Sequence, residues 1–214
     1  MQMKPKYPRP SSEWTHKDRM VDWMDDNEVD RRQFRRMLTR AKCEADVQRL
    51  LTQYPRYLIQ HLGGGHGRWV LPQFRLGKDY VADFVIGERH SGGHFWQLVE
   101  LECPTKKMFN KNGAPSATLT QAMRQITDWR NWLHQNQNYA ARSTKEEGLG
   151  LTDIVGQASG LIIIGRRRDL NAESDARRRQ MMRDTDIQIR TYDFLCESGG
   201  VPISVALEFL ARDG

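Results

Sequence analysis

Three short apolar runs follow one another in the middle of the chain, and they restrict its fold more than any other feature. They are Arg68 to Leu76, Tyr80 to Ile86 (YVADFVI) and Phe95 to Glu102 (FWQLVELE). Each has strand length and is rich in β-branched and aromatic residues. The short polar, glycine-containing segments between them predict an antiparallel meander. The apolar period then changes. Leu119, Ala122, Ile126, Trp129 and Leu133 step by 3, 4, 3 and 4, the buried stripe of a helix predicted from about Pro115 to Tyr139. Gly160 to Ile164 (GLIII) has no alternation and reads as a strand buried on both faces. A basic helix over Glu173 to Arg183, a strand over Ile187 to Tyr192, and short helices over Asp193 to Glu197 and Val201 to Ala211 complete the C-terminal part. Upstream, Glu28 to Arg40 is a highly charged helix whose apolar ridge is Phe34, Met37 and Leu38. Glu44 to Tyr54 is a second helix, closed by Pro55. Strands and helices in this order predict an α/β fold, a mixed sheet with helices on its faces.

At 214 residues the chain fits one medium domain plus a short segment. We expect an N-terminal lead with a basic helix over 1–42, in which Trp14 and Trp23 anchor an irregular stretch, and the main domain over 43–214. Lys and Arg number 33 against 27 acids, a formal charge of +6. The arginines cluster at Arg31, Arg32, Arg35 and Arg36, at Arg166, Arg167 and Arg168, and at Arg177, Arg178 and Arg179. A basic surface favours phosphate-bearing partners with salt-dependent binding; the competing reading is that these are solvated helix faces. Cys43, Cys103 and Cys196 lie far apart without zinc-ligand spacing, which suits a reducing cytoplasm. The longest apolar runs, such as Leu161 to Ile164, are too short to span a bilayer, so no membrane partner is expected. The glycine-rich LGGGHG at 62–67 lacks the Lys-Ser/Thr of a phosphate-binding loop, and His66 reads there as a turn residue. His90 and His94 have the spacing of a helical metal pair, but Gly92 and Gly93 argue against a helix.

Chemistry enters where acids interrupt the strands. Asp83 sits among Val81, Ala82, Phe84, Val85 and Ile86; Glu100 and Glu102 sit among Leu98, Val99 and Leu101. An ionised carboxylate in such surroundings costs several kcal/mol, of order, unless compensated. Strand period two puts Glu100 and Glu102 on one face, and Asp83 joins them if the two strands pair. Three converging carboxylates call for a divalent cation, and hard oxygen ligands select Mg²⁺ or Mn²⁺. The plainer alternative is a wet sheet face with the acids solvated or paired to Arg.

Four blocks carry a family resemblance: DYVADFVI at 79–86, WQLVELECPTKKMF at 96–109, PSATLTQAMRQITDW at 115–129, and GLIIIGRRRDL at 160–170 with IQIRTYDFL at 187–195. In order and spacing they resemble the nuclease domain of Shedu proteins, bacterial anti-phage defence effectors. The resemblance covers roughly residues 43 to 197. It implies the restriction-endonuclease-like, PD-(D/E)XK core, with Asp83 as the motif's Asp and Glu100 as its first acid. Glu102 then stands where the motif usually has Lys, a departure that leaves the general base open. Gln125 matches the glutamine often found on the following helix, and Gln121, one turn earlier, matches less well. The activity implied is metal-dependent endonucleolytic cleavage, of DNA rather than RNA, by a protein that forms homo-oligomers. About 42 residues before the core are too few for a regulatory domain. On this reading Asp83, Glu100 and Glu102 hold the metal and Gln125 positions water or Glu102. Lys106, Lys107, Arg166, Arg167 and Arg168 contact the nucleic-acid backbone. Lys106 or Lys107 reaches Glu102 only if Pro104 turns the chain, because four further extended residues would carry it roughly 13 Å away. Lys78 is another substitute for the missing lysine. The competing readings are an inactive nucleic-acid binder on the same scaffold, favoured by Glu102, and an assembly protein whose basic helices contact protein.

Overall fold

The computed structural model describes residues 15–21, 30–62 and 67–197; Trp14, Trp23, His66 and the helix expected over Val201 to Ala211 lie outside them. The architecture is a five-stranded mixed sheet flanked by helices. On the N-terminal side come α1 (Arg31–Arg40), α2 (Glu44–Gln53) and a single turn, α3 (Arg56–Ile59), placed directly after Pro55. The meander follows as β1 (Gly67–Leu76), β2 (Tyr80–His90) and β3 (Gly93–Leu101). The long helix α4 (Ala117–Ala141) leads to β4 (Ser159–Ile163), and α5 (Ala172–Thr185) leads to β5 (Ile187–Arg190). Spatial order equals chain order, β1 to β5. The first three strands pair antiparallel, whereas β3, β4 and β5 run parallel, each joined by a helical crossover.

Local chemistry explains the boundaries. Asp30 caps α1 by accepting the N–H groups of Arg32 and Gln33 at 2.6 and 3.0 Å. Ser116 caps α4 by accepting Leu119 N–H at 3.2 Å, so the helix starts just after Pro115 rather than at it. β2 runs four residues beyond the predicted end because Glu88, Arg89 and His90 still find partners on β3. β3 stops at Leu101, one residue before Glu102. β5 stops at Arg190, and the helix expected over Asp193 to Glu197 is a 3₁₀ segment at Tyr192–Cys196. Pro72 is tolerated in β1 because this is an edge strand.

Each face of the sheet carries its own core. Leu98 and Ile162 face α4, where Leu119, Ala122, Ile126, Trp129 and Leu133 form the predicted stripe, all buried. Val99, Leu101, Leu161 and Ile163 face the other way and pack with Phe34, Leu38, Val47, Leu51 and Leu58 of α1 to α3. A strand buried on both faces cannot alternate, and GLIII does not. Among the described residues no helix is long and apolar enough to cross a membrane.

Candidate functional site

The three acids meet where the sheet opens. The β2–β3 ladder ends at the pair Phe84–Val99, while β1 and β2 stay paired out to Leu76–Tyr80. The tip of the β1–β2 hairpin therefore parts from β3 one residue before Asp83 would have faced Glu100. The Asp83 side chain fills the gap. Its Oδ2 accepts the Leu101 N–H at 2.8 Å, replacing the missing β2 backbone, and its Oδ1 accepts Gln73 Nε2 at 3.2 Å. The two strands do pair, as the sequence reading required, and past the last pair the Asp83 side chain itself reaches the end of β3. Gln73, at φ +46°, lies at the same kink of β1.

Glu100 shares the α4 side of β3 with Leu98 and is only 6% exposed. Burial pushes its carboxyl up to about 9, with Asp83, Glu102 and Glu44 adding repulsion and a hydrogen bond from Gln125 opposing it. Burial likewise raises Glu102 to about 7, with Glu44 and Asp83 raising it further and Lys106 lowering it. Asp83 rises to about 6, chiefly by burial, against the Leu101 N–H bond. Among the described residues none of the three closes an ion pair with Lys or Arg.

A fourth acid, Glu44, was not singled out from the sequence. It opens α2, and its charge is felt by all three carboxyls. One turn on, Gln48 donates to the Asp83 carbonyl at 3.1 Å, and its buried Oε1 has no partner among the described residues. The one sequence signal for this face was the spacing of Glu44 and Gln48, four residues apart on a helix. Tyr192 was also missed. Fully buried, it donates its hydroxyl to the Glu102 carbonyl at 2.6 Å, and its N–H goes to the Gly165 carbonyl at 3.1 Å. It thereby fastens the ends of β3 and β4 together.

The candidate cations divide. A turn closed by Lys106 N–H to the Cys103 carbonyl at 3.0 Å reverses the chain at Pro104, which brings Lys106 back beside Glu102. Lys107 is exposed in the same loop. Gly165, at φ +64°, lets this loop approach; a Cβ there would sit 2.5 Å from the Lys106 carbonyl oxygen. Arg166 to Arg168 leave β4 at the same end of the sheet. Arg166 donates to the Leu38 carbonyl at 3.4 Å, Arg167 pairs with Glu197, and Arg168 is exposed. Lys78 sits exposed in the turn of the β1–β2 hairpin. Gln125 is half-buried against Glu100, whereas Gln121 is exposed. His90 and His94 lie at the far end of β2 and β3, and His94 Nδ1 pairs with Asp153 at 3.0 Å.

The donors are of the kind a hard cation takes: carboxylates that raise one another's pKa, of which Glu100 is buried and Asp83 and Glu102 half-buried, with the unpartnered amide oxygen of Gln48 on the neighbouring helix. Among the described residues no group of three or more His, Cys, Asp or Glu side chains is placed so that it could hold a metal ion. Mg²⁺ does not need such a group, because it usually keeps several waters and takes one or two carboxylates plus substrate phosphate. Of the acids here, Asp83 and Glu100 are the ones that would serve as such carboxylates, with Glu102 next in the chain after Leu101.

A protein-family model described as Shedu protein SduA, C-terminal, matches residues 41–196, nearly three quarters of the chain. No curated protein matches the chain significantly.

Proposed function

The chain belongs to the Shedu protein SduA C-terminal family, and from that premise we propose that it is a metal-dependent endonuclease that cleaves DNA in Shedu defence, on a restriction-endonuclease-like scaffold. The observation that carries this reading is Glu100. A carboxyl this buried, facing two other acids and bonded by a neutral amide, is costly unless a cation joins it. Clusters of titratable groups perturbed by burial and by one another mark candidate functional sites.

Asp83 and Glu100 would hold Mg²⁺ or Mn²⁺, which when bound lowers the pKa of water and offsets charge on the scissile phosphate. The chain's own groups do the rest. Leu101 N–H and Gln73 fix the Asp83 carboxylate, and Gln125 orients Glu100. Glu102, poised near neutrality at about 7, takes the proton of the attacking water; an acid whose pKa lies near the working pH suits that task. Lys106 favours the charged form of Glu102 and presents an ammonium on the side where phosphate would lie. On this reading Lys106, from the following turn, stands in for the lysine of the usual motif. Lys107 and Arg168 extend the cationic rim to the nucleic-acid backbone, with Arg166 and Arg167 behind them.

The test uses purified wild type, Asp83→Asn and Glu100→Gln on duplex DNA with Mg²⁺, Mn²⁺ or EDTA. Wild type should cut with either metal and not in EDTA. Each variant should lose on the order of 10³-fold or more, because several kcal/mol of charge stabilisation disappears. Metal-independent cutting, or full activity in either folded variant, would overturn the reading. Glu102 in the usual lysine position favours a second possibility, a binder that does not cut; it predicts salt-dependent DNA binding with no cleavage in either metal.

A further inference from the structure

Two arginine-rich helices have opposite electrostatic surroundings. In α5, Arg177 pairs with Glu173, while Arg178 and Arg179 both pair with Asp175, so the helix neutralises much of its own charge. α1 holds no acid of its own: from Arg31 to Cys43 there are six cations, and the one acid adjoining the helix, Asp30, is felt by Arg32 and Arg36. Asp30, at its N-terminal end, is committed to capping the helix. Phe34 and Leu38 bury one side of α1. Arg32, Arg36 and Arg40 recur every four residues along the other side, all exposed. At 1.5 Å of rise per residue they form a line about 12 Å long with charges about 6 Å apart.

This line leads to the carboxylates. The Leu38 carbonyl accepts from Arg166 at 3.4 Å, and the Lys42 carbonyl accepts from Cys103 Sγ at 3.0 Å. Glu44, two residues further on, already interacts with Asp83, Glu100 and Glu102. The C-terminal end of α1 therefore abuts the candidate active site, with Lys42 exposed at this end.

We propose that the Arg32–Arg36–Arg40 face of α1 is a track for the sugar–phosphate backbone of duplex DNA, holding the stretch next to the cleaved bond. The role of the track in cleavage rests on the nuclease reading; its binding of DNA does not. With one phosphate every 3.4 Å of axis per strand, a 12 Å line spans roughly three to four base pairs. Contacts of this kind position the duplex and carry no base preference.

The experiment measures the affinity of wild type, R32A/R36A/R40A and R32K/R36K/R40K for a short DNA duplex by fluorescence anisotropy. Ca²⁺ replaces Mg²⁺, and salt is varied. Each phosphate contact contributes about 0.9 to the slope of log affinity against log salt, so the alanine variant should lose up to about 2.7 from that slope and bind on the order of 10²-fold more weakly near physiological salt. The lysine variant should restore most of both, which a purely structural role for the guanidinium groups would not allow. An alanine variant with wild-type affinity and slope overturns the proposal. Equal or stronger α1-dependent binding of a matched RNA duplex overturns the choice of DNA. The two readings fail separately. Binding through α1 without cleavage in Mg²⁺ or Mn²⁺ sinks the nuclease and leaves the track. Cleavage with undiminished affinity in the alanine variant does the reverse.

Discussion

Replacing Glu100 by glutamine should make the metal-free protein more stable at neutral pH, although it destroys the site. An unfolded glutamate releases its proton near 4.5, while burial holds the folded carboxyl protonated up to about 9. Between those values the folded chain binds more protons than the unfolded one, so stability falls as pH rises. The stability associated with the protonated carboxyl is complete below 4.5 and lost as pH climbs to about 9. At about 1.36 kcal/mol per unit, the interval from 4.5 to pH 7 amounts to roughly 3 kcal/mol, and that to pH 5 to under about 1 kcal/mol. Glutamine has nearly the same shape, can still hydrogen-bond Gln125, and carries no charge to desolvate. In EDTA at pH 7 the variant should therefore melt about 6–12 °C above wild type, taking 2–4 °C per kcal/mol for a domain of this size, with little difference at pH 5. Thermal unfolding at both pH values, with urea unfolding for the free energies, measures this. Mg²⁺ should then stabilise wild type and leave the variant almost unmoved, because only the former gains a ligand on folding. A variant no more stable than wild type at pH 7, or one that gains equally at both pH values, would refute the buried-charge argument.

Two further outcomes separate neighbouring roles. Gln125→Ala should depress metal-dependent cleavage and push the Glu100 titration, followed by NMR, further upward, whereas Gln121→Ala, one exposed turn away, should change neither. Arg130 is buried and donates to three carbonyls, those of Ala158, Thr185 and Asp186, at 2.9, 2.9 and 2.8 Å. Arg130→Met should cost about 1–3 kcal/mol in urea unfolding, since the buried Ala158 carbonyl loses its donor while water can reach those of Thr185 and Asp186, and should leave the salt slope of DNA binding unchanged.

The polarity of the candidate site was legible because it violates local pattern. Asp83, Glu100 and Glu102 stand out only against the apolar residues beside them; the period-two rule expects one side for Glu100 and Glu102, although β3 itself ends at Leu101. The strands, the α4 stripe and the fully buried β4 were legible for the same reason: burial imposes a period, and period survives in one dimension. Glu44, Gln48 and Tyr192 left no such mark. Each is an ordinary residue in its own segment, and its role arises from elements that meet only when α2 packs on the sheet and β5 joins β4.

Tertiary structure also decided what adjacency in sequence could not. Asp83 reaches the site because the β1–β2 hairpin parts from β3, and nothing in YVADFVI announces where a ladder ends. Lys106 returns to Glu102 because Gly165 makes room for its turn. The arginine clusters look alike as text, yet α5 pairs its charges internally while α1 leaves a line of them exposed. Sequence alone determined which residues carry charge and which must be buried, since those properties belong to single side chains and their local period. Which charges face each other, and at what cost, depends on distance and dielectric, and those exist only once the chain has folded.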